Sequence, residues 1–360
     1  MDGKLEKLLS EIDLMPDGKA KLLMLEEAAR IADSQNDLKA GFDIREEIVH
    51  QGVFYGHHLN AIIAFSWRLA QCEKNPHLFD ISDLLWEYKW IVEEIYKFPD
   101  VPSEKIEQLF EDMKDKYNRE GASLRPYYCI KCKYLYSSGF KERAEELYFK
   151  WINSPRDGYS DCRACDIDNQ VLYLLYIKDY EKAFEMAQPI LSGRLKCAEI
   201  PHLTYAELLL PSLETGRLND AQIFHEKGYK LIYKNKDFLE SMSKHLLYLT
   251  VVDVNKAVNI FEKHFQWAFE THTIFFKFEF YLASWVMFTK LKKLGKEQLK
   301  IHLQKDCNII EKYKLNTIDD IIAWFEKETT DMANKFNLRN GNDHFNGVIQ
   351  ERLKLVGFQL

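Results

Sequence analysis

An alanine recurs through the middle of this 360-residue chain at Ala144, Ala183, Ala221 and Ala257, with spacings of 39, 38 and 36 residues. Each sits in the same kind of phrase: GFKERAEELYF, KDYEKAFEMAQ, GRLNDAQIFHE and VDVNKAVNIFE. A turn comes first, then two or three polar residues, the alanine and an amphipathic stretch with helical periodicity. Stacking of like units produces such a recurrence, and unrelated helices do not. The unit is a helical hairpin. Its alanine lies early in the second helix, where a small side chain permits close approach to the first. Gly139, Lys178 with Asp179, and Gly216 close the turns. A similar phrase, NDLKAGFDIREEI, puts Ala40 in the equivalent position near the N-terminus.

The flanks also read as helical. Nine prolines and 15 glycines are too few for an all-β chain that turns every ten residues or so. Helices are expected over 58–72 and 84–98, where Trp67, Leu84, Leu85, Trp86, Trp90, Ile91 and Ile95 form an apolar stripe and Ser82 is a candidate cap. Pro99 and Pro102 separate them from an amphipathic helix over 103–117, and NREGAS at 118–123 is the expected boundary. No proline follows Pro211, so long helices are expected over 271–293, 317–335 and 343–355, with a turn at 337–343. The chain then divides into N-terminal hairpins (1–118), a repeat array (119–267) and a C-terminal helical region (268–360) that continues or caps it.

The repeat phrases resemble the tetratricopeptide repeat, with Tyr148, Ala187, His225 and Phe261 four residues after the alanines. The resemblance covers 124–267 and, more weakly, 19–54. The chain is also similar to bacterial tetratricopeptide-like proteins with DCRAC and CAEIPH strings, from which no activity carries over. The family resemblance implies an all-α, right-handed superhelical array, an alpha-alpha solenoid whose first helices line a concave surface. Counting back from the alanines puts Pro126, Cys129, Lys133 and Tyr136 on that surface, then Cys165, Asp168, Leu172 and Tyr176. The third hairpin adds Leu203, Ala206, Leu210 and Leu213, and the fourth Leu239, Met242, Leu246 and Leu249. The expected peptide groove is Tyr136, Leu172, Tyr176, Leu210, Met242, Leu246 and Leu249. So apolar a face exceeds what an isolated protein leaves open. It calls for a peptide or helix, a second copy in a homo-oligomer, or an internal lid such as 317–335, with Ile318, Ile321, Ile322, Phe325 and Met332 along one side.

Cys162-x-x-Cys165, followed by Cys197 and His202, is the most chemical feature. A shift of 38 residues maps Cys162 and Cys165 onto 200 and 203, so Cys197 and His202 bracket the equivalent site one hairpin on. Neighbouring helix starts would then offer four zinc ligands. The competing reading is reduced cysteines packed at the seam between repeats. Cys129 and Cys132 share one helical face and read as core. Asp157, Asp161, Asp166 and Asp168 read as a solvated inter-helix loop, and His225, His245 and His264 as separate packing residues.

The net charge of −7 and pI near 5.9 argue against nucleic acid, which needs clustered cations. The N-terminus lacks a signal-peptide core, and no apolar window approaches the ~20 residues of a membrane span. Seven cysteines, an odd number, suit a reducing, cytoplasmic setting. No phosphate loop, dinucleotide fingerprint, HExxH or GxSxG occurs. The expectation is therefore a non-enzymatic interaction or regulatory scaffold that binds a protein or peptide partner and carries no cofactor except structural zinc. A zinc-stabilised or thiol-switch repeat protein is the alternative, a peptide-sensing bacterial regulator a further one, and an enzyme the last.

Overall fold

The computed structural model describes residues 3–296 and 300–357, and among these it contains eighteen α-helices and no strand. The N-terminal part comprises α1 (Gly3–Asp13), α2 (Lys19–Ser34), α3 (Leu38–Phe54), α4 (His58–Lys74), α5 (Leu85–Ile95) and α6 (Ser103–Arg119). Four hairpins follow: α7 (Arg125–Ser137) with α8 (Lys141–Asn153), α9 (Arg163–Tyr176) with α10 (Tyr180–Leu191), α11 (His202–Glu214) with α12 (Leu218–Ile232), and α13 (Leu239–Val252) with α14 (Val254–Glu270). The C-terminal part holds α15 (Ile274–Lys293), α16 (Ile309–Tyr313), α17 (Ile318–Asn340) and α18 (His344–Lys354). No described helix is long and apolar enough to cross a membrane.

The alanine rule is realised physically. Ala144, Ala183, Ala221 and Ala257 are each fully buried, the fourth residue of α8, α10, α12 and α14 respectively. Three hairpins turn through a left-handed residue, Gly139, Lys178 or Gly216, in a three-residue joint. Glycine adopts that conformation without a Cβ penalty. The fourth joint is different: Asp253 alone ends α13 and caps α14, its side chain accepting from the Lys256 amide at 3.2 Å. Asp80, not Ser82, caps the start of the α5 segment by accepting from the Ser82 amide, and a 3-10 turn over Ile81–Leu84 precedes the helix. Pro211 does not break α11, which runs through it to Glu214.

First helices stack on first helices. α5, α7, α9, α11, α13 and α15 contact one another in that order, so α15 continues the inner row beyond the four hairpins. The apolar core lies between this row and the second helices. It divides into one cluster running from Leu5 to Trp151 and Tyr173, another running from Val171 to Val356, and a small third one of Ala164, Ile190 and Ile200.

The row also curls back to its beginning. Asn235 Nδ2 donates to the Phe54 carbonyl at 3.0 Å, the Phe275 amide to the Lys97 carbonyl at 3.1 Å, and Arg339 Nη1 to the Tyr96 carbonyl at 2.6 Å. These bonds join α3 and α5 to segments about 180 to 240 residues later. The C-terminal helices divide the work in an unexpected way. Ile318, Ile321, Phe325 and Met332 of α17 are buried against α14 and α15, with Phe325 stacked on Phe288 at 5.6 Å, so α17 extends the stack. The helix that reaches back over the inner surface is α18. Asn342, just before it, donates to the Ser138 carbonyl at 2.7 Å, and Glu351 pairs with Lys178 at 2.5 Å.

Candidate functional site

Closure of the inner row leaves a cavity of about 600 Å³ whose walls come from α3, α4, α5, α7, α9, α11, α13, α15, α18 and the segment 193–201. Its polar groups are arranged in ion pairs. Lys133 of α7 binds Glu93 of α5, and burial, which works against its charge, is overcome by that carboxylate, so its pKa is driven well up. Lys244 of α13 pairs with Glu207 of α11 and lies 3.0 Å from Glu240. His58, the first residue of α4, lies 2.9 Å from Glu94 and 3.3 Å from Asp237. Burial alone would discharge this imidazole, yet the two carboxylates raise its pKa to about 9. Lys97 completes the cluster at 2.6 Å from Glu94.

Other cavity carboxyls have no cation within ion-pair distance among the described residues. Asp168 accepts only from Thr204 Oγ1 at 2.5 Å, and burial lifts its pKa to about 7 despite that bond. Neither the Glu199 nor the Glu279 side chain makes a hydrogen bond or ion pair among the described residues, and burial lifts them to about 8 and about 7, against the opposing charge of Arg352 on Glu279. Desolvation disfavours the ionised form wherever nothing neutralises it. Aromatic walls from Trp90, Tyr136, Tyr176, Phe238, Phe275 and Phe276 fill the spaces between these charges.

Of the positions expected on the inner surface from the first three hairpins, Pro126, Cys129, Cys165 and Leu213 do not line this cavity. Tyr136, Leu172, Tyr176 and Leu210 line the cavity, as do Lys133, Asp168, Leu203 and Ala206. Met242, Leu246 and Leu249 do not; they are buried in the packing around α13, at 0, 0 and 4% exposure. The one-residue joint at Asp253 is the reason. Counting back from Ala257 assumes a three-residue turn and overshoots by two, so the true inner positions are Ser241 and Lys244. The inner surface consequently carries ion pairs and unpaired carboxyls among its apolar and aromatic residues, where a wholly apolar groove covered by a partner, a second copy or a lid was expected.

A second constellation lies beside the cavity. Cys162, Cys165 and Cys197 bring their sulfurs within 4.8 Å of one another, with Cys165 Sγ and Cys197 Sγ 3.4 Å apart. Cys162 caps α9, its sulfur accepting from the Cys165 amide at 3.4 Å. The segment after α10 folds back, with the Leu195 amide on the Pro189 carbonyl and the Cys197 amide on the Ile200 carbonyl, and this returns Cys197 to the start of α9. The Cys165 thiol donating to Cys197, together with the Glu199 and Ile200 amides, lowers the Cys197 pKa to about 5, while that of Cys165 rises through the same contact. Three such sulfurs could hold a metal ion. His202 is not a fourth ligand: it sits outside the cluster, buried, its ring edge-on to Phe238 at 4.9 Å, because α11 carries it toward the following hairpin.

The remaining candidates resolve into structure. Asp166 is held by Arg125 at 2.8 Å and Arg156 at 3.1 Å and accepts from the Trp151 indole, while Asp161 pairs with Lys89 at 2.7 Å. Asp157 accepts from the Ser123 amide at 2.6 Å. Only Asp168 of that acidic group faces the cavity. Cys129 and Cys132 are buried in the core, and burial pushes both thiols up. His225 and His245, separate in the sequence reading, meet at 2.9 Å between ring nitrogens, and Tyr229 bonds His264 at 2.9 Å. Burial lowers all three imidazoles, which are neutral packing groups.

No family model matches the sequence, and no curated protein or solved structure is significantly similar to it. The site therefore has to be read from its own chemistry. His58, Glu94, Asp237 and Glu279 are the functional candidates that sequence reasoning missed, because they stand on elements outside the repeat phrases.

Proposed function

We propose that this chain is a non-enzymatic binding scaffold of tetratricopeptide-like architecture, a right-handed superhelix whose inner cavity receives a peptide segment. The observation that carries this reading is the cavity itself. About 600 Å³ of space lies within the curve of the inner helices, in the range of ligand sites, and its wall carries carboxyls the fold does not neutralise. A wall serving only stability would have been filled with apolar side chains, since unpaired buried charge costs stability. The sequence phrases support the architectural part, and the free cysteines suit a reducing, cytoplasmic setting. A thermal-shift screen of short peptides tests the reading. Binders should raise the melting temperature of the wild type and not that of Leu172→Trp, in which a larger side chain fills the cavity. Binders that stabilise both proteins equally would reject the cavity as the site.

The three-cysteine cluster supports a second element of the same reading, a structural zinc ion held by Cys162, Cys165 and Cys197. Thiolates are the soft ligands zinc prefers, and the contact with Cys165, helped by the Glu199 and Ile200 amides, lowers the Cys197 pKa. Cys162 is exposed, so a solvent molecule or a small thiol supplies the fourth position. Bound there, the ion would tie segment 193–201 to the start of α9 and thereby fix Glu199 at the cavity. Elemental analysis of protein purified without a metal-affinity tag and dialysed against micromolar zinc should find one zinc per chain, and Cys197→Ser should lose it. Zinc near zero in the wild type would reject this element.

A further inference from the structure

The cavity's charge balance identifies what kind of ligand it is built to take. Each cation from the inner helices already has its carboxylate: Lys133 has Glu93, Lys97 has Glu94, and Lys244 is shared by Glu207 and Glu240. His58 is engaged by Glu94 and Asp237, and Lys178 by Glu351. Four carboxyls have no ion pair: Asp168, Glu199 and Glu279, on α9, on segment 193–201 and on α15, and the exposed Glu214 of α11, which accepts from the Tyr180 hydroxyl. Arg352 of α18 also lines the cavity without an ion pair, and it is outnumbered by these carboxyls.

Resting on the reading of the cavity as a binding site, we propose that its ligand presents an alkylammonium or guanidinium group, carried on a basic side chain of a peptide, to Glu199, Asp168 and Glu279. Such a group supplies the missing hydrogen-bond donors and positive charge together. Trp90, Tyr136 and Phe276 offer ring faces and apolar surface for the stem of a lysine or arginine. The wall already uses this chemistry, since Lys97 lies 4.8 Å from the centre of the Phe276 ring while paired to Glu94. An acidic ligand would meet an excess of carboxyls with Arg352 as the one unpaired cation of the wall among the described residues. The bound cation would also draw Asp168 and Glu279, both raised by burial, into their ionised form, so binding releases protons near pH 7.

Calorimetric titration of the full chain tests this with three probes: the capped pentapeptide Ala-Arg-Leu-Lys-Ala, its counterpart with both basic residues replaced by glutamate, and spermidine. The basic peptide should bind at least tenfold more tightly than the acidic one. Glu199→Gln and Glu279→Gln, which keep shape and remove charge, should each weaken it about tenfold, with circular dichroism confirming that both variants remain folded. Tighter binding of the acidic peptide, no binding of the basic one, or no change in both variants overturns the charge assignment. Binding of spermidine but not of the basic peptide overturns the peptide as carrier of the cation. If the basic peptide binds wild type and Leu172→Trp alike, the cavity reading itself falls. If the acidic peptide binds and Leu172→Trp abolishes it, the cavity stands and only the charge assignment falls.

Discussion

His58 should make the stability of this protein fall with pH in a window where an ordinary histidine has already discharged. The imidazole is buried between Glu94 of its own half of the chain and Asp237 at the approach to α13, so it ties the two ends of the inner row together. Its pKa rises from 6.5 to about 9 on folding, because the carboxylates outweigh the burial that opposes them. A group raised on folding stabilises fully below its unfolded pKa, and that contribution is lost as pH climbs through the folded value. The change corresponds to about 3 kcal/mol, present at pH 6 and gone by pH 9.5. Asp168, Glu199 and Glu279 are also raised, to between about 7 and about 8, and push in the same direction. Comparison with His58→Gln removes their shared slope. Urea denaturation of both proteins at pH 6 and pH 9.5 should show the wild type losing about 3 kcal/mol more than the variant. Parallel pH profiles would refute the reasoning, since they would mean that His58 carries no charge in the folded protein.

Three further perturbations follow from the packing. Ala221→Leu forces a larger side chain between α11 and α12, and should lower stability by about 1–3 kcal/mol in thermal or chemical denaturation. Gly139→Ala meets two obstacles, a φ of +85° and a Cβ that would lie 2.6 Å from His344 Cβ; it should speed hydrogen exchange across 342–354 while leaving α11 to α14 protected. Arg125→Met leaves Asp166 with Arg156 and the Trp151 indole alone and frees the carbonyls of Trp151 and Ser154, and should cost about 1–3 kcal/mol by urea denaturation.

How far the sequence could be read depends on where each constraint resides. The hairpins and their buried alanines were legible because close helix packing is a local requirement, repeated at a period that the chain prints four times. On α7, α9 and α11 the count back from those alanines reaches Lys133, Tyr136, Asp168, Leu172, Tyr176, Leu203, Ala206 and Leu210 of the cavity wall, but not Pro126, Cys129, Cys165 or Leu213. Register failed at α13, where one residue, Asp253, does what three do elsewhere, and a two-residue slip exchanges Lys244 for Met242. The cysteine cluster was readable for Cys162, Cys165 and Cys197, since the repeat period brings them together. It failed for His202, whose side chain follows α11 away from the fold-back of 193–201. The cavity was not legible at all. Its defining groups, from His58 to Arg352, belong to six or more elements brought together only by closure of the row, and no local pattern encodes that closure.

The central claim, that the inner cavity is where this protein binds, is tested most directly by hydrogen–deuterium exchange of the full chain with and without the basic pentapeptide. The account predicts slowed exchange in 193–201, at the C-terminal end of α5 and along α18, the segments that carry Glu199, Glu93 with Glu94, and Arg352. Protection confined to the outer helices α8, α10 and α12, with those three segments unchanged, would contradict it.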